Sequence, residues 1–114
     1  DPGALGPVLE TMVFAEIEKT LPYLAKRWRL YHWRMTSREI DLVAEAPGMR
    51  LALIEVKAGA TAHEEDFRHI DWFLDEGPGR RYRGVGFVIH LGDQVLSFGP
   101  NRIALPMSAL WSYR

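Results

Sequence analysis

The sequence of 114 residues contains no cysteine. This absence excludes a disulfide framework, a thiolate metal site and a cysteine nucleophile, and it fits a reducing cytoplasm, where we expect the protein. A large excess of charge is also missing. The formal net charge is −1, so overall electrostatics indicate neither nucleic acid nor an acidic membrane as partner. No apolar run reaches the roughly 18 residues of a spanning helix, and no signal peptide is visible, so we expect no membrane partner.

The composition that is present predicts one compact domain. Hydrophobic residues make up 47% of the chain, which is enough for a core in a single domain over residues 1–114. The chain begins at Asp1 rather than at methionine. We therefore expect it to be a fragment or a processed product of a longer protein.

Four apolar segments have the composition and the flanking turns of β-strands. The second alternates in period two, and the fourth is apolar on both faces, as expected of a central buried strand. Glycines and prolines punctuate the region after the fourth strand and predict a hairpin-like C-terminal extension. The predicted strands are residues 27–33, 38–46, 50–57 and 85–91.

Two helices complete the predicted order. The first begins at Gly6 and Pro7, an arrangement typical of a helix start, and its apolar residues recur at helical spacing to about Leu21. The second follows a capping box in which Thr61 is paired with Glu64, three residues later. The sequence therefore predicts an α/β domain of order αβββαβ, with a mixed sheet flanked by helices.

Charged residues interrupt this apolar pattern at four positions. Glu55 and Lys57 share one face of their strand, because side chains two residues apart in a strand point the same way. Asp41 is predicted on the strand face opposite its neighbours Ile40 and Leu42. Glu10 belongs to the apolar stripe of the first helix. These groups converge at one sheet edge if the strands form a meander.

Grouped carboxylates repel one another unless a cation neutralises them. Mg²⁺ needs only one or two carboxylates, with water and substrate oxygens completing its shell. A neighbouring lysine supplies positive charge beside a metal-bound water or a developing phosphorane oxygen. The pattern is typical of a phosphodiesterase. A Glu-x-Lys sequence taken alone is more often a surface ion pair, and that reading stays open here.

Two basic clusters allow a nucleic-acid surface. Residues 26–38 contain five Lys or Arg, no acid, and interleaved Trp28, Tyr31 and Trp33. Arginines bind phosphates and aromatic rings stack on bases. The alternative is a strand with its aromatics packed inside and its arginines facing solvent. The candidate nucleic-acid-binding residues are Arg27, Arg29, Arg34, Arg38, Arg80, Arg81 and Arg83.

An ordered set of motifs extends over nearly the whole chain, from Gly6 to Trp111. A helical glutamate is followed by "EID" (39–41), "IEVK" (54–57) and the tail "GFVIHLGDQVLSFGPNRIALPMSALW" (86–111). This set resembles the PD-(D/E)-x-K nuclease superfamily. It is most similar to the domain of unknown function found at the C-terminus of bacterial and archaeal AAA-type ATPases.

The resemblance implies a restriction-endonuclease-like fold and assigns roles to the charged residues. Asp41 and Glu55 would bind Mg²⁺, with Mn²⁺ as a substitute, and Lys57 would be the catalytic lysine. Glu10 would hold a metal-bound water, with Glu16 as the alternative. No covalently bound cofactor is implied. The partners would be DNA and the ATPase domain of the same longer chain.

Two functions remain open from the sequence. The first is a Mg²⁺-dependent nuclease that acts on DNA and is accessory to the ATPase. The alternative is a non-catalytic module of that ATPase, which binds nucleic acid or protein or mediates assembly and keeps a vestigial nuclease site. The second predicted helix favours the alternative, because its acids would repel a phosphate backbone. These acids are Glu64, Glu65, Asp66, Asp71, Asp75 and Glu76.

Overall fold

A computed structural model describes residues 29–111. The first predicted helix, with Glu10 and Glu16, lies outside the described residues, as does Arg27. The described strands are β1 (Arg29–Met35), β2 (Arg38–Ala46), β3 (Arg50–Val56), β4 (Arg83–His90), β5 (Leu96–Ser97) and β6 (Arg102–Pro106). The helices are the 3₁₀ helix η1 (Glu64–Phe67), the α-helix α1 (Arg68–Asp75) and the 3₁₀ helix η2 (Met107–Trp111).

The six strands form one mixed sheet in the order β1-β2-β3-β4-β6-β5. The first three strands are an antiparallel meander. Strands β3, β4 and β6 run parallel, and β5 pairs antiparallel with β6. The chain between β3 and β4 includes η1 and α1, as the crossover between two parallel strands requires. The domain is therefore of the α/β class.

Helix α1 covers one face of the sheet. Ile70 and Phe73 of α1 are 0% and 2% exposed, and they belong to one cluster with Val43, Leu53 and Val88. Each such side chain stabilises the fold by about 1.5–3 kcal/mol when it leaves water. The cluster fixes α1 against the centre of the sheet.

Glycines in β4 let α1 approach the sheet closely. A Cβ atom on Gly84 would lie 2.3 Å from Leu74, and one on Gly86 would lie 2.6 Å from Ile70. Since neither distance is compatible with a side chain, glycine is required for this packing. The opposite face of the sheet has its own buried cluster, which contains Leu42, Ile54, Ile89 and Met107.

The cap of the helix between β3 and β4 lies two residues after the predicted cap Thr61. The N-cap is His63, and Asp66 is the third helical residue, whose carboxylate accepts the backbone N–H of His63 at 2.7 Å. The predicted cap, Thr61 with Glu64, is therefore wrong. Both pairs have the spacing of a capping box, and the structure uses the second.

The C-terminal region contains the expected hairpin, formed by β5 and β6. However, β6 also pairs with β4 along five residues, so it extends the main sheet instead of lying outside it. No helix within residues 29–111 has the length and hydropathy needed to cross a membrane.

The two ends of the sheet differ, and we name them here. The carboxyl end is the end at which β3 and β4 terminate, and it includes the start of β2 and the β1–β2 turn. The amino end is the end at which β3 and β4 begin. The pairing of Arg50 with Arg83 and of Val56 with Ile89 defines both ends.

Candidate functional site

Asp41 and Glu55 lie side by side at the carboxyl end, where the β2–β3 ladder stops. The last paired residues are Leu42 and Ile54. Beyond them, Asp41 Oδ2 accepts the backbone N–H of Val56 at 2.7 Å. In return, Glu55 Oε1 accepts the backbone N–H of Asp41 at 3.0 Å. Each carboxylate therefore takes the place of a backbone acceptor and holds the partner strand.

A β-bulge in β2 gives Asp41 its position. Opposite β1, the register shifts from Tyr31 paired with Val43 to Trp33 paired with Ile40, so β2 contains one extra residue. The His32 ring Nδ1 donates to the carbonyl oxygen of Asp41 within this bulge. Bulges are common beside functional sites, because they redirect a side chain.

The bulge corrects one sequence-based expectation. Regular alternation would place Ile40 and Leu42 on the same face, opposite Asp41. In the structure Ile40 packs in the cluster beneath α1, whereas Leu42 packs in the cluster on the other face. An extra residue reverses the alternation, and hydrophobicity alone does not indicate where it lies.

Lys57 directly follows β3 and is bound by the start of the helix. Its Nζ donates to Asp66 Oδ2 at 2.8 Å and lies 3.1 Å from His63 Nδ1. The Lys57 and Asp66 side chains are 29% and 20% exposed, so the ion pair is only partly screened by water. The backbone N–H of Lys57 donates to Ile89 of β4, which fixes the base of the side chain.

Asp66 was not a candidate from the sequence, and yet it is the acid that binds Lys57. The available signal was its place as the third residue after the cap, where carboxylates favour a helix N-terminus. A cap at Thr61 pairs with Glu64, so it does not point to Asp66.

The donor set at the carboxyl end suits a hard cation. Asp41 and Glu55 offer carboxylate oxygens, the ligands that Mg²⁺ prefers, and two are sufficient when water and substrate supply the rest. Within residues 29–111, no group of three or more His, Cys, Asp or Glu side chains is arranged to hold a metal ion. A third acid would have to come from elsewhere in the chain, and Glu10 is the residue that the sequence suggests.

The candidate arginines are divided between the two ends of the sheet. Arg34 and Arg38 flank the β1–β2 turn at the carboxyl end, whereas Arg29 and Arg83 lie at the amino end. Arg80 and Arg81 directly precede β4 and belong with Arg83. These arginines therefore do not form one continuous strip beside Asp41 and Glu55.

Several of these arginines already have partners. Arg29 binds Glu45 at 2.7 Å, and its guanidinium lies 5.0 Å from the Tyr31 ring centre. Arg34 binds Glu39 at 3.1 Å. Tyr82 also donates to Glu45, at 2.9 Å. The hydrogen bond from Tyr82 is the largest cause that holds the pKa of the Glu45 carboxyl below its usual value. The hydrogen bond and the charge of Arg29 act in the same direction.

Comparison with known proteins identifies a family but no activity. The sequence model of one protein family, described as Domain of unknown function (DUF4143), matches residues 5–110. No curated protein matches the chain.

Proposed function

We propose, from the premise that the chain belongs to the DUF4143 family, that it is a Mg²⁺-dependent phosphodiesterase domain acting on DNA. The observation that supports the proposal is the pair Asp41 and Glu55, which two neighbouring strands hold side by side. Lys57 follows Glu55 by two residues at the same end of the sheet. This is the order and spacing of the PD-(D/E)-x-K motif that the sequence resembles.

In this proposal Asp41 and Glu55 hold the cation, and Glu10 adds a carboxylate that orients water. The cation, when bound, supplies Lewis-acid polarisation of a phosphodiester oxygen. Lys57 contributes a positive charge whose position is set by Asp66. A preorganised charge of this kind stabilises a developing oxyanion without reorganisation during the reaction. The domain would serve an AAA-type ATPase domain in the same longer chain, in the cytoplasm.

A cleavage assay on the full-length protein tests the proposal. Supercoiled plasmid is incubated with Mg²⁺, Mn²⁺ or Ca²⁺, using wild type and Asp41→Asn. We expect nicking with Mg²⁺ and Mn²⁺, and its loss in the variant. Asp93→Asn is the matched control, because Asp93 is an exposed acid outside the site. A wild type that cleaves nothing, or an Asp41→Asn variant that cleaves equally well, would contradict the proposal.

Lys57→Ala separates catalysis from binding. Lysine is not a metal ligand, so the variant should retain DNA binding measured in Ca²⁺. Its cleavage rate should fall by ~10²–10³-fold, the usual effect of removing one preorganised charge. If cleavage continues unchanged, Lys57 is a structural partner of Asp66 and has no role in the chemistry.

One observation favours the second function, a non-catalytic binding or assembly module. Asp66 accepts a hydrogen bond from Lys57, so a carboxylate already balances the charge that catalysis would use. On this account the site is vestigial, and binding to nucleic acid or protein is the retained role. The result that would support it is a wild type that binds DNA without cleaving it, with Arg29→Ala weakening DNA binding more than Lys57→Ala.

A further inference from the structure

A second group of polar residues surrounds a cleft at the carboxyl end, beside the β1–β2 turn. The cleft has a volume of about 380 Å³. Its polar lining comes from the turn and its flanks, and from the second residue of α1: Arg34, Thr36, Ser37, Arg38, Glu39 and His69. Two arginines, two hydroxyl-bearing residues, a histidine and one glutamate thus line one volume.

Arg38 is held in place but has capacity for a ligand. Its guanidinium lies 4.6 Å from the centre of the Trp72 ring on α1, an arrangement that orients the group by a cation–π contact. The Arg38 guanidinium makes no hydrogen bond or ion pair with any residue in the part of the chain that the structure describes. Its five N–H donors are therefore suited to an incoming anion.

Arg34 is held only by a weak ion pair with Glu39. It pairs with Glu39 at 3.1 Å, and the two side chains are 82% and 49% exposed. Exposed pairs of this kind contribute about 0–1 kcal/mol, because water screens them and holding both side chains costs entropy. A phosphate group between the two arginines can therefore compete with Glu39 for Arg34.

His69 supplies the independent observation. Its Nδ1 atom is buried and has no hydrogen-bond partner. A buried polar atom without a partner is costly, so such atoms commonly mark a ligand or an ordered water. Burial, followed by the charges of Arg68 and Arg38, lowers the pKa of His69.

We propose that this cleft is a binding site for a phosphate group, with Arg34 and Arg38 as its charged donors and His69 as a polar residue of its lining. The turn hydroxyls of Thr36 and Ser37 complete the set. The site does not require the Asp41–Glu55 pair to be catalytic. The phosphate is a free ion, a terminal phosphate of a nucleic acid or a phosphodiester of its backbone, since each presents at least two non-bridging oxygens that accept hydrogen bonds from arginine.

Titration of the full-length protein with inorganic phosphate tests the site. Isothermal titration calorimetry would compare wild type with Arg34→Gln, whose exposed position makes a folding defect unexpected. Losing one charge-assisted contact should weaken phosphate binding roughly tenfold. His69→Leu should weaken it as well. Arg81→Gln is the matched control, an exposed arginine at the amino end that should bind phosphate as wild type does.

The outcomes decide the proposal. Equal phosphate affinity in wild type, Arg34→Gln and His69→Leu would overturn it, and so would an equal loss in Arg81→Gln. Asp41→Asn should bind phosphate normally even if it no longer cleaves DNA, so failure of the proposed function and failure of this site are distinguishable.

Competition identifies the source of the phosphate. An oligonucleotide with a 5′-hydroxyl and the same oligonucleotide with a 5′-phosphate would each be tested against inorganic phosphate in wild type and Arg34→Gln. Displacement by both supports a backbone phosphodiester, and displacement by the phosphorylated form alone supports a terminal phosphate. If neither oligonucleotide displaces inorganic phosphate, and Arg34→Gln still weakens phosphate binding, the result supports a site for the free ion.

Discussion

At the scale of single residues, Asp41 and Glu55 have a structural task as well as a proposed chemical one. Each carboxylate accepts a backbone N–H from the neighbouring strand, at a point where the ladder of backbone hydrogen bonds has ended. Substitutions at either position therefore alter stability and any activity together. The choice of amino acid in a functional test has to separate the two effects.

Asp41→Ala should lower the free energy of unfolding by about 1–3 kcal/mol, because the partly buried N–H of Val56 loses its acceptor. Asp41→Asn should cost less, since its amide oxygen can accept the same hydrogen bond. Urea denaturation of the two variants, with Asp93→Ala as the exposed control, measures the difference. Equal stability of wild type and Asp41→Ala would show that this hydrogen bond contributes nothing.

Glu45 provides a prediction about pH. Its pKa is lowered chiefly by the hydrogen bond from Tyr82 and then by Arg29. Tyr82→Phe should therefore raise the pKa of Glu45, and Arg29→Gln should raise it as well. A ¹³C NMR titration of the Glu45 carboxyl measures both shifts. A pKa that is unchanged in Tyr82→Phe would refute the assignment.

The direction of the stability effect follows from the same shift. A carboxyl whose folded-state pKa is lowered stabilises the fold at neutral pH. That stability is lost as the pH falls through the folded-state pKa. Tyr82→Phe should consequently be less stable than wild type at pH 7, and the two should converge in strong acid.

At the scale of elements, the sequence predicts β2 correctly at residues 38–46, where a strand-forming segment ends at the Pro47–Gly48 turn. β1 was predicted at 27–33 and is described from Arg29 to Met35. Its turn, Thr36–Ser37, contains no glycine, proline or asparagine, so the local signal for its end is weak. Propensity locates the end of a strand well where a turn with proline or glycine follows it.

The connection after β4 is the most tightly constrained turn near the site. A Cβ atom on Gly92 would lie 2.1 Å from the backbone oxygen of Ala60, which cannot move as a side chain could. His90 Nδ1 accepts the Gly92 N–H at 3.0 Å, which holds the turn in this position.

Gly92→Ala should therefore destabilise the domain by at least about 1–3 kcal/mol, the usual cost of overpacking. Gly59→Ala is the matched control. Its Cβ would meet only the flexible side chain of Lys57 at 3.4 Å, an ordinary contact. Thermal unfolding of both variants provides the comparison, and a Gly92→Ala domain as stable as Gly59→Ala would contradict the packing argument.

At the scale of the whole molecule, long-range pairing limits what sequence can predict. The α/β class and the central position of β4 follow from its apolar pattern, and β4 does lie between β3 and β6. The parallel pairing of β6 with β4 has no local signature, because its residues also fit an isolated hairpin. The same limit applies to the site. The Glu55-x-Lys57 spacing is visible in the sequence, whereas the Lys57–Asp66 ion pair depends on how the helix docks.

The distribution of charge over the sheet also emerges only at this scale. Arg29 and Arg34, which belong to the same basic cluster in the sequence, lie at opposite ends of the sheet. The phosphate cleft and the Asp41–Glu55 pair share the carboxyl end, whereas Arg29 and Arg83 lie at the amino end.

The central claim is that Asp41 and Glu55 together bind a divalent cation. The most direct measurement is a Mn²⁺ titration of the full-length protein, with free Mn²⁺ monitored by electron paramagnetic resonance. The comparison includes wild type, Asp41→Asn, Glu55→Gln and the control Asp93→Asn. The account predicts that wild type and Asp93→Asn each bind one more Mn²⁺ per chain than Asp41→Asn or Glu55→Gln. Identical Mn²⁺ binding in all four proteins would contradict it.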